Sequence, residues 1–145
     1  MSSRPPGGLH GMSTIQRIHL ITVPCSDAGR SVAFYASLGF EQRADFPFGE
    51  GGRWIELFPP DGVAGISLAP GPHPRPAVDT GIILTTDDID AAHAELRAAG
   101  ADVDAQIARA GSPARIRLGG VDVVEPQPAM FGVRDPDGNA LLIVG

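Results

Sequence analysis

The segment that most looks like a chemical motif is the turn Asp135-Pro136-Asp137-Gly138, near the end of the chain. Two carboxylates this close together are typical of a calcium-like or catalytic acidic site. A second turn of the same type, Pro59-Pro60-Asp61-Gly62, precedes another apolar run earlier in the chain. Because aspartate, proline and glycine each favour tight turns, we interpret both segments as hairpin turns. The acidic turn is therefore predicted to be structural.

The other reactive side chains are few and scattered. Cys25 is the single cysteine, so no intrachain disulfide can form, and we expect a buried, inert thiol. All 11 basic residues are arginines, which excludes Schiff-base chemistry on a lysine. None of the four histidines shares a metal-ligand spacing with another histidine or carboxylate. His19 lies in a strand-like run, and alternation predicts that it points away from any cleft.

The elements that must position these groups occur twice. A helix-like segment from Asp27 to Gly39 is repeated 61 residues later, from Asp88 to Gly100. The two turns lie 76 residues apart, which indicates an insertion of about 15 residues in the second half. We place the insertion at 108–129 and predict an extra hairpin around Gly119-Gly120. The predicted order is a disordered leader (1–14), a βαβββ module (15–70), a Pro-rich linker (71–78) and a second βαβββ module (79–145).

These paired modules resemble the vicinal oxygen chelate superfamily, which includes glyoxalase I, extradiol dioxygenases and bleomycin-resistance proteins. The resemblance rests on "SDAGRSVAFYASLGF" in the first half and on "TTDDIDAAHAELRAAG" with "MFGVRDPDGN" in the second. It implies an α+β fold in which the two modules form a curved eight-stranded mixed sheet. The helices would cover the convex side, and the concave side would form a cleft.

The resemblance also implies where a metal would bind, with one ligand on the first and last strand of each module. The corresponding positions in this chain are Leu20, Ser67, Gly81 and Leu142. Leucine and glycine side chains offer no donor atom, and a single hydroxyl is a poor ligand. We therefore predict that the chain holds no metal and no other cofactor.

Strand alternation, anchored on those positions, predicts which side chains face the cleft. The only candidate catalytic residue is Glu56, as a general acid or base. The predicted ligand-binding residues are Leu20, Thr22, Phe48, Trp54, Phe58, Ser67, Ile83, Thr85, Met130, Arg134 and Leu142.

Four of these residues have alternative interpretations. Phe48 lies in a Gly-rich connection and not in a strand, and it either belongs to a lid over the cleft or packs against the neighbouring module. Trp54 either stacks against a flat or cationic ligand or packs in a core. Glu56 either binds ligand or pairs with Arg134 or Arg53, or points to solvent. Arg134 either grips an anionic group or caps the hairpin end.

Composition and resemblance together favour a small-molecule-binding protein. A net charge of −6 argues against nucleic acid or an anionic membrane as partner. With one cysteine and no apolar stretch of membrane-spanning length, we expect a cytoplasmic protein. We predict that it binds an aromatic or cationic molecule in a metal-free apolar cleft, as a homodimer by resemblance. The alternatives are a metal-independent isomerase, lyase or cyclase using Glu56, and a metalloenzyme with non-standard ligands.

Overall fold

A computed structural model of the chain describes residues 13–145, so all but two residues of the predicted leader lie outside the described residues. The first module consists of β1 (Leu20–Val23), α1 (Ala28–Ser37), β2 (Glu41–Pro47), β3 (Arg53–Phe58) and β4 (Gly65–Leu68). The second consists of β5 (Asp79–Thr85), α2 (Ile89–Ala98), β6 (Asp102–Val103), β7 (Arg115–Leu118), β8 (Val121–Val124), β9 (Met130–Arg134) and β10 (Ala140–Val144).

The two modules build equivalent four-stranded sheets. The strand orders are β1-β4-β3-β2 and β5-β10-β9-β6. In each sheet the first and last strands of the module pair in parallel, and the remaining neighbours are antiparallel. The α+β class and the paired βαβββ modules are confirmed. Within the described chain no ladder joins β1 to β5, so the eight strands lie in two sheets of four.

Both helices begin and end where the sequence predicts, and for the same reasons. The side chains of Asp27 and Asp88 accept hydrogen bonds from Arg30 N (3.1 Å) and Ala91 N (3.0 Å). These bonds satisfy amide groups that have no partner inside a helix. Gly39 and Gly100 follow the last turns with φ of 96° and 80°, a conformation that glycine adopts without strain.

One apolar core joins the two modules. Ile55 and Leu57 of β3 and Phe131 and Val133 of β9 are almost fully buried, as strand alternation predicts for the helix side of each sheet. They belong to a single cluster with residues of both helices, including Tyr35. Packing therefore holds the two sheets in a fixed relation even though no strand pairing connects them.

The insertion forms the predicted hairpin. β7 and β8 pair antiparallel around Gly119-Gly120. Ile116 of β7 is 4% exposed and packs in a second small cluster with Ala108 and Met130, against which Leu142 also packs. Because Met130 and Leu142 lie on the side of the second sheet opposite its core residues, the hairpin covers the face that was predicted to line the cleft.

The acidic turn bonds the second module to the first. Asp135 is 4% exposed, and its Oδ2 accepts hydrogen bonds from Tyr35 Oη (2.8 Å) and Asn139 Nδ2 (2.9 Å). Asn139 Nδ2 also donates to the carbonyl of Pro24 (2.7 Å). Asp137 accepts bonds from the backbone amide and hydroxyl of Ser26, just before α1. We call this contact the locked junction. The turn is structural, as predicted, but it also fixes the two modules together.

Candidate ligand-binding site

The register of the first sheet brings most of the predicted site residues onto one face. Thr22 lies opposite Ser67 in the β1–β4 pair, and Ser67 lies opposite Glu56 in the β3–β4 pair. Residues opposite one another in a ladder project to the same side of the sheet. The hydroxyls of Thr22 and Ser67 hydrogen-bond at 2.8 Å, and Ser67 is fully buried. Leu20, half-buried, lies two residues before Thr22 on the same side. We call this surface the first-sheet face.

An aromatic pair stands at one end of the first-sheet face. The ring centroids of Phe48 and Trp54 are 4.9 Å apart with an interplanar angle of 51°. Phe48 is 52% exposed, and Phe46, which lies opposite Trp54 in the β2–β3 pair, is 45% exposed. Large aromatic side chains this exposed offer apolar surface to a flat molecule.

Glu56 is bound by the tryptophan beside it. Trp54 Nε1 donates to Glu56 Oε2 at 2.9 Å, and the carboxylate is half-buried. In the described part of the chain, Oε1 of Glu56 has no hydrogen-bond or ion-pair partner. The alternative pairings with Arg53 and Arg134 are not formed. Arg53 bonds Asp45 through Nε (3.2 Å) and Nη2, and Arg134 bonds carboxylates of its own module. The free oxygen of Glu56 is therefore available to a ligand.

The other end of the face is closed by a cation and a second aromatic group. Phe58 is 6% exposed, and Arg43 Cζ lies 4.7 Å from the centre of its ring. The His19 ring is 5.8 Å from the Phe58 ring, so the prediction that His19 points away from the cleft is wrong. His19 precedes the first residue of β1, and strand alternation does not govern a residue outside the strand.

On the second sheet the predicted site residues separate into two groups. Ile83 is 51% exposed, and Thr85 is exposed as well. Met130 is 8% exposed because it packs under the hairpin, and Leu142 packs in the same cluster. The described residues show no hydrogen bond or ring contact between these four and the first-sheet face.

Arg134 is held by two carboxylates of its own module. Its Nη1 donates to Asp104 Oδ1 at 2.8 Å and its Nη2 to Asp102 Oδ1 at 2.9 Å. The hydrogen bond from Arg134 lowers the pKa of the Asp102 carboxyl, and the same bond raises the pKa of Arg134. Asp104 Oδ2 also accepts a hydrogen bond from the backbone amide of Gly132 at 2.8 Å. The positive charge of Arg134 is therefore largely balanced by two carboxylates of its own module, without any ligand.

The residues at the family's metal-ligand positions do not fit a metal ion. Gly81 lies at an irregularity in the β5–β10 pairing with φ of 70°, a conformation in which a histidine or glutamine would be strained. The Ser67 hydroxyl is already bonded to Thr22, and Leu142 packs against the hairpin cluster. No group of three or more His, Cys, Asp or Glu side chains suited to a metal occurs among residues 13–145.

Several residues of the site were not identified from the sequence. Arg43 of β2, which covers Phe58, and Asp104, which follows β6 and binds Arg134, come from segments that carry no recognisable motif. The hairpin arginines Arg115 and Arg117 belong to the insertion, whose position over the second sheet depends on packing. The repeated 61-residue and 76-residue spacings align both module cores, but the insertion has no copy in the first module to indicate its place.

Comparison with known proteins identifies a family profile that matches most of the chain. The profile of the Glyoxalase/Bleomycin resistance protein/Dioxygenase superfamily matches residues 17–143. No curated protein was found to match the chain. No helix within the described range is long and apolar enough to cross a membrane.

Solved structures agree with the profile. TnmS3, an antibiotic binding protein from Streptomyces sp. CB03234, is 29% identical, with a TM-score of 0.67 over 91% of this chain and 97% of its own. A glyoxalase/bleomycin resistance protein from the same organism is 30% identical, with a TM-score of 0.61 over 88% and 99%. A superfamily member from Sphaerobacter thermophilus DSM 20745 is 26% identical, with a TM-score of 0.68 over 91% and 98%.

Proposed function

This chain belongs to the Glyoxalase/Bleomycin resistance protein/Dioxygenase superfamily, and from that premise we propose that it binds a flat aromatic molecule carrying a positive charge on its first-sheet face. One observation carries the proposal. Trp54 is in ring contact with the exposed Phe48 and donates a hydrogen bond to Glu56, whose second oxygen is free. The binding needs no metal, since the chain's own residues supply both an aromatic wall and a negative charge.

The two parts of the face contribute in different ways. A flat ring that covers Trp54 and the exposed part of Phe48 removes apolar surface of both partners from water. A cation held over the Trp54 ring is attracted by its π-electrons, with a free energy of about 0.5–2 kcal/mol. Glu56 is half-buried, so an attached ammonium group would interact with it more strongly than with a fully solvated carboxylate. The hydrogen bond from Trp54 Nε1 fixes the orientation of the carboxylate in advance.

The relatives support the small-molecule part of the proposal. TnmS3, 29% identical to this chain, is an antibiotic binding protein, and that description supports a ligand of similar class for this chain. Fold likeness alone would not carry a ligand class. The aromatic pair of half-buried Trp54 and exposed Phe48 is the feature of this chain that makes a flat ligand suitable.

The only tryptophan of the chain is Trp54, so its fluorescence reports binding at this face. We expect N-methylquinolinium to quench it saturably and to bind at least about tenfold more tightly than neutral quinoline. In calorimetric titrations, Trp54→Ala should weaken binding of both compounds by about tenfold or more. Glu56→Gln should reduce the preference for the cation to the part that the Trp54 ring provides, while leaving quinoline binding unchanged.

Arg75→Gln is the matched control for these titrations, since Arg75 lies in the Pro-rich linker and should leave both affinities unchanged. Equal affinity for the two probes in the unaltered protein would refute the role of Glu56. Equal binding by Trp54→Ala and the unaltered protein would refute the site itself.

Glu56 also supports a second candidate function, a metal-independent enzyme of the isomerase, lyase or cyclase type. A half-buried carboxylate with one oxygen fixed and the other free has the geometry of a general base. The molecule that copurifies with the protein can be identified by native mass spectrometry and incubated with it. If conversion occurs, Glu56→Gln should abolish it while binding is retained. Unchanged conversion by that variant would exclude Glu56 as the base.

We also propose that the chain forms a homodimer. Ile21 on β1 and Ile83 on β5 are 36% and 51% exposed, and both strands have one edge that pairs with no strand of the described chain. Exposed apolar residues on unpaired edge strands favour association. Light scattering coupled to size-exclusion chromatography should give about twice the mass of one chain, 15.0 kDa. A monomer at micromolar concentration would contradict this proposal alone.

A further inference from the structure

The two rings of the aromatic pair are held in different ways. Trp54 lies within β3, and its Nε1 is bonded to Glu56 at 2.9 Å, so both its backbone and its indole are fixed. Phe48 lies one residue beyond the end of β2 and is 52% exposed, so no strand pairing fixes it. Its contact with Trp54, at a centroid distance of 4.9 Å, therefore depends on the turn between β2 and β3.

This turn is closed tightly at Gly52. The backbone amide of Phe48 donates a hydrogen bond to the carbonyl of Gly52 at 3.1 Å. A methyl group on Gly52 would collide with the carbonyl oxygen of Phe48, a backbone atom that yields only if Phe48 itself moves. The φ angle of Gly52 is not positive, so this collision, and not backbone strain, excludes a side chain there. Glycine at position 52 therefore permits the close approach that sets the place of Phe48.

The start of the Pro-rich linker packs against the same turn. The backbone amide of Arg53 donates to the carbonyl of Pro70 at 3.1 Å. A methyl group on Gly52 would also lie 3.4 Å from the Pro70 oxygen, and one on Gly51 would lie 3.8 Å from Pro72 Cδ. Because each proline ring fixes its own φ angle, this part of the linker is stiff. The turn is therefore braced by a segment that does not readily bend away.

We propose that Gly52, Pro70 and Pro72 are positioning residues of the ligand site, which hold Phe48 against Trp54. None of the three needs to touch the ligand. A surface that is formed in advance spares the ligand the cost of ordering the turn when it binds. The inference rests on the proposed function, because it concerns the same face. It makes the linker between the modules part of the way in which the first module binds.

The test begins with Gly52→Ala in the full chain. Trp54 is the only tryptophan, so its emission reports the contact with Phe48 even without ligand. We expect the emission to shift to the red, as in Phe48→Ala, because water replaces the Phe48 ring. N-methylquinolinium should bind about three- to tenfold more weakly. Gly71→Ala is the matched control and should change neither quantity, since its methyl group would meet Gly52 Cα at an ordinary 3.8 Å.

A double variant separates positioning from general destabilisation. If Gly52 acts through Phe48, then Phe48→Ala/Gly52→Ala should match Phe48→Ala alone in both emission and affinity. A purely structural role would lower the urea midpoint of Gly52→Ala and leave the affinity of the folded protein unchanged. That result, additive losses in the double variant, or equal effects of Gly52→Ala and Gly71→Ala would each overturn the proposal.

Pro72→Gly tests the linker without introducing a collision, and it decides the question if Gly52→Ala does not fold. We expect a smaller red shift and a smaller loss of affinity, in the same direction. Pro76→Gly, at an exposed position farther along the linker, is its control and should change neither. Equal effects of the two proline variants would refute the role of the linker.

The emission of the ligand-free variants separates this outcome from that of the proposed function. If the unaltered protein does not bind N-methylquinolinium, the proposed function fails, and the emission of Gly52→Ala still decides whether Gly52 positions Phe48. If the unaltered protein binds and Gly52→Ala keeps the unaltered emission and affinity, the positioning role alone is wrong.

Discussion

The two modules contact each other at two equivalent junctions, in each of which a turn of one module meets the end of the first strand of the other. Only one of the two junctions is closed by hydrogen bonds. In the locked junction, the turn after β9 bonds the end of β1 and the start of α1. In the other, the turn after β3 lies near the end of β5, and a groove of about 590 Å³ separates the facing surfaces. We call the second contact the open junction. Its lining is mainly apolar and includes Leu38, Val63 and Ile83.

The residue types at equivalent positions explain this difference. Tyr35 and Asp135 hydrogen-bond in the locked junction, whereas the repeat spacing puts Leu96 and Pro59 at the same places in the open one. Asn139 likewise has Val63 as its counterpart. Leucine, proline and valine side chains provide no donor or acceptor, so no buried network can form there.

A charge difference acts in the same direction. Asp137 accepts two hydrogen bonds from the backbone amide of Ser26 and another from its hydroxyl. The equivalent residues of the open junction are Asp61 and Asp87, two like charges with no such bond. A duplicated fold can therefore keep its backbone arrangement while one contact becomes a structural lock and the other becomes a groove.

The largest expected effect is at the buried carboxylate. Asp135→Ala removes the acceptor of the Tyr35 hydroxyl, of one of the two Nδ2 hydrogens of Asn139 and of the backbone amides of Asp137 and Asn139. We expect it to lower the free energy of unfolding by about 3 kcal/mol. The equivalent change in the open junction, Pro59→Ala, should cost less than about 1 kcal/mol. Urea unfolding curves of the two variants measure the difference, and similar losses would show that the junctions are not energetically distinct.

The second prediction concerns alkaline pH. Burial raises the pKa of Tyr35 above its ordinary value of 10.0, and the negative charge of Asp135 raises it further. The folded state therefore keeps the phenol proton at pH values where the unfolded chain loses it. Stability that depends on the neutral phenol is complete below pH 10 and is lost as the pH rises above it.

Tyr35→Phe should thus lower the free energy of unfolding by about 1 kcal/mol at pH 7. It should also reduce the additional fall in that free energy between pH 9 and about 11. The interpretation is simple here because the chain has one tyrosine and no lysine, so Cys25 is the other side chain that titrates in this range. Burial raises the pKa of the Cys25 thiol as well. Cys25→Ala is the control, and it should keep the tyrosine-dependent part of the loss. An unchanged alkaline slope in Tyr35→Phe would contradict the prediction.

The smallest expected effect is a gain at the open junction. By the repeat spacing, Asp87→Ser gives this junction the residue type that Ser26 contributes to the locked one, and it removes one of the junction's two negative charges. We expect stabilisation of about 0.5 kcal/mol, seen as a higher urea midpoint. Glu50→Ser removes the same charge from an exposed loop and should have no comparable effect. Destabilisation by Asp87→Ser would indicate that Asp87 supports the start of α2 more than it repels Asp61.

Predictions from the sequence succeeded where a local rule decides the outcome. Ile55 and Val133 point to the core because successive strand residues alternate in direction. Asp27 and Asp88 begin their helices because their carboxylates satisfy nearby amides. His19 shows the limit of the same rule, because it lies one residue outside the strand and turns toward Phe58.

The pairing of charged side chains was less predictable. The sequence offers Arg53 and Arg134 as partners of Glu56, but Arg53 pairs with Asp45 across β2 and β3, and Arg134 pairs with Asp102 and Asp104. Each pairing depends on which strands lie side by side and in what register. The spacing of the residues along the chain does not contain that information.

By itself, the sequence determined the duplicated modules, the helix ends, the core-facing positions and the residue types at the family's metal-ligand positions. These features depend on groups that are neighbours in the chain or on residue type alone. Only the tertiary structure decided that the acidic turn locks onto α1 and that the insertion covers the second sheet. Both outcomes result from packing between segments distant in the chain, where shape and hydrogen-bond partners are set by the whole fold.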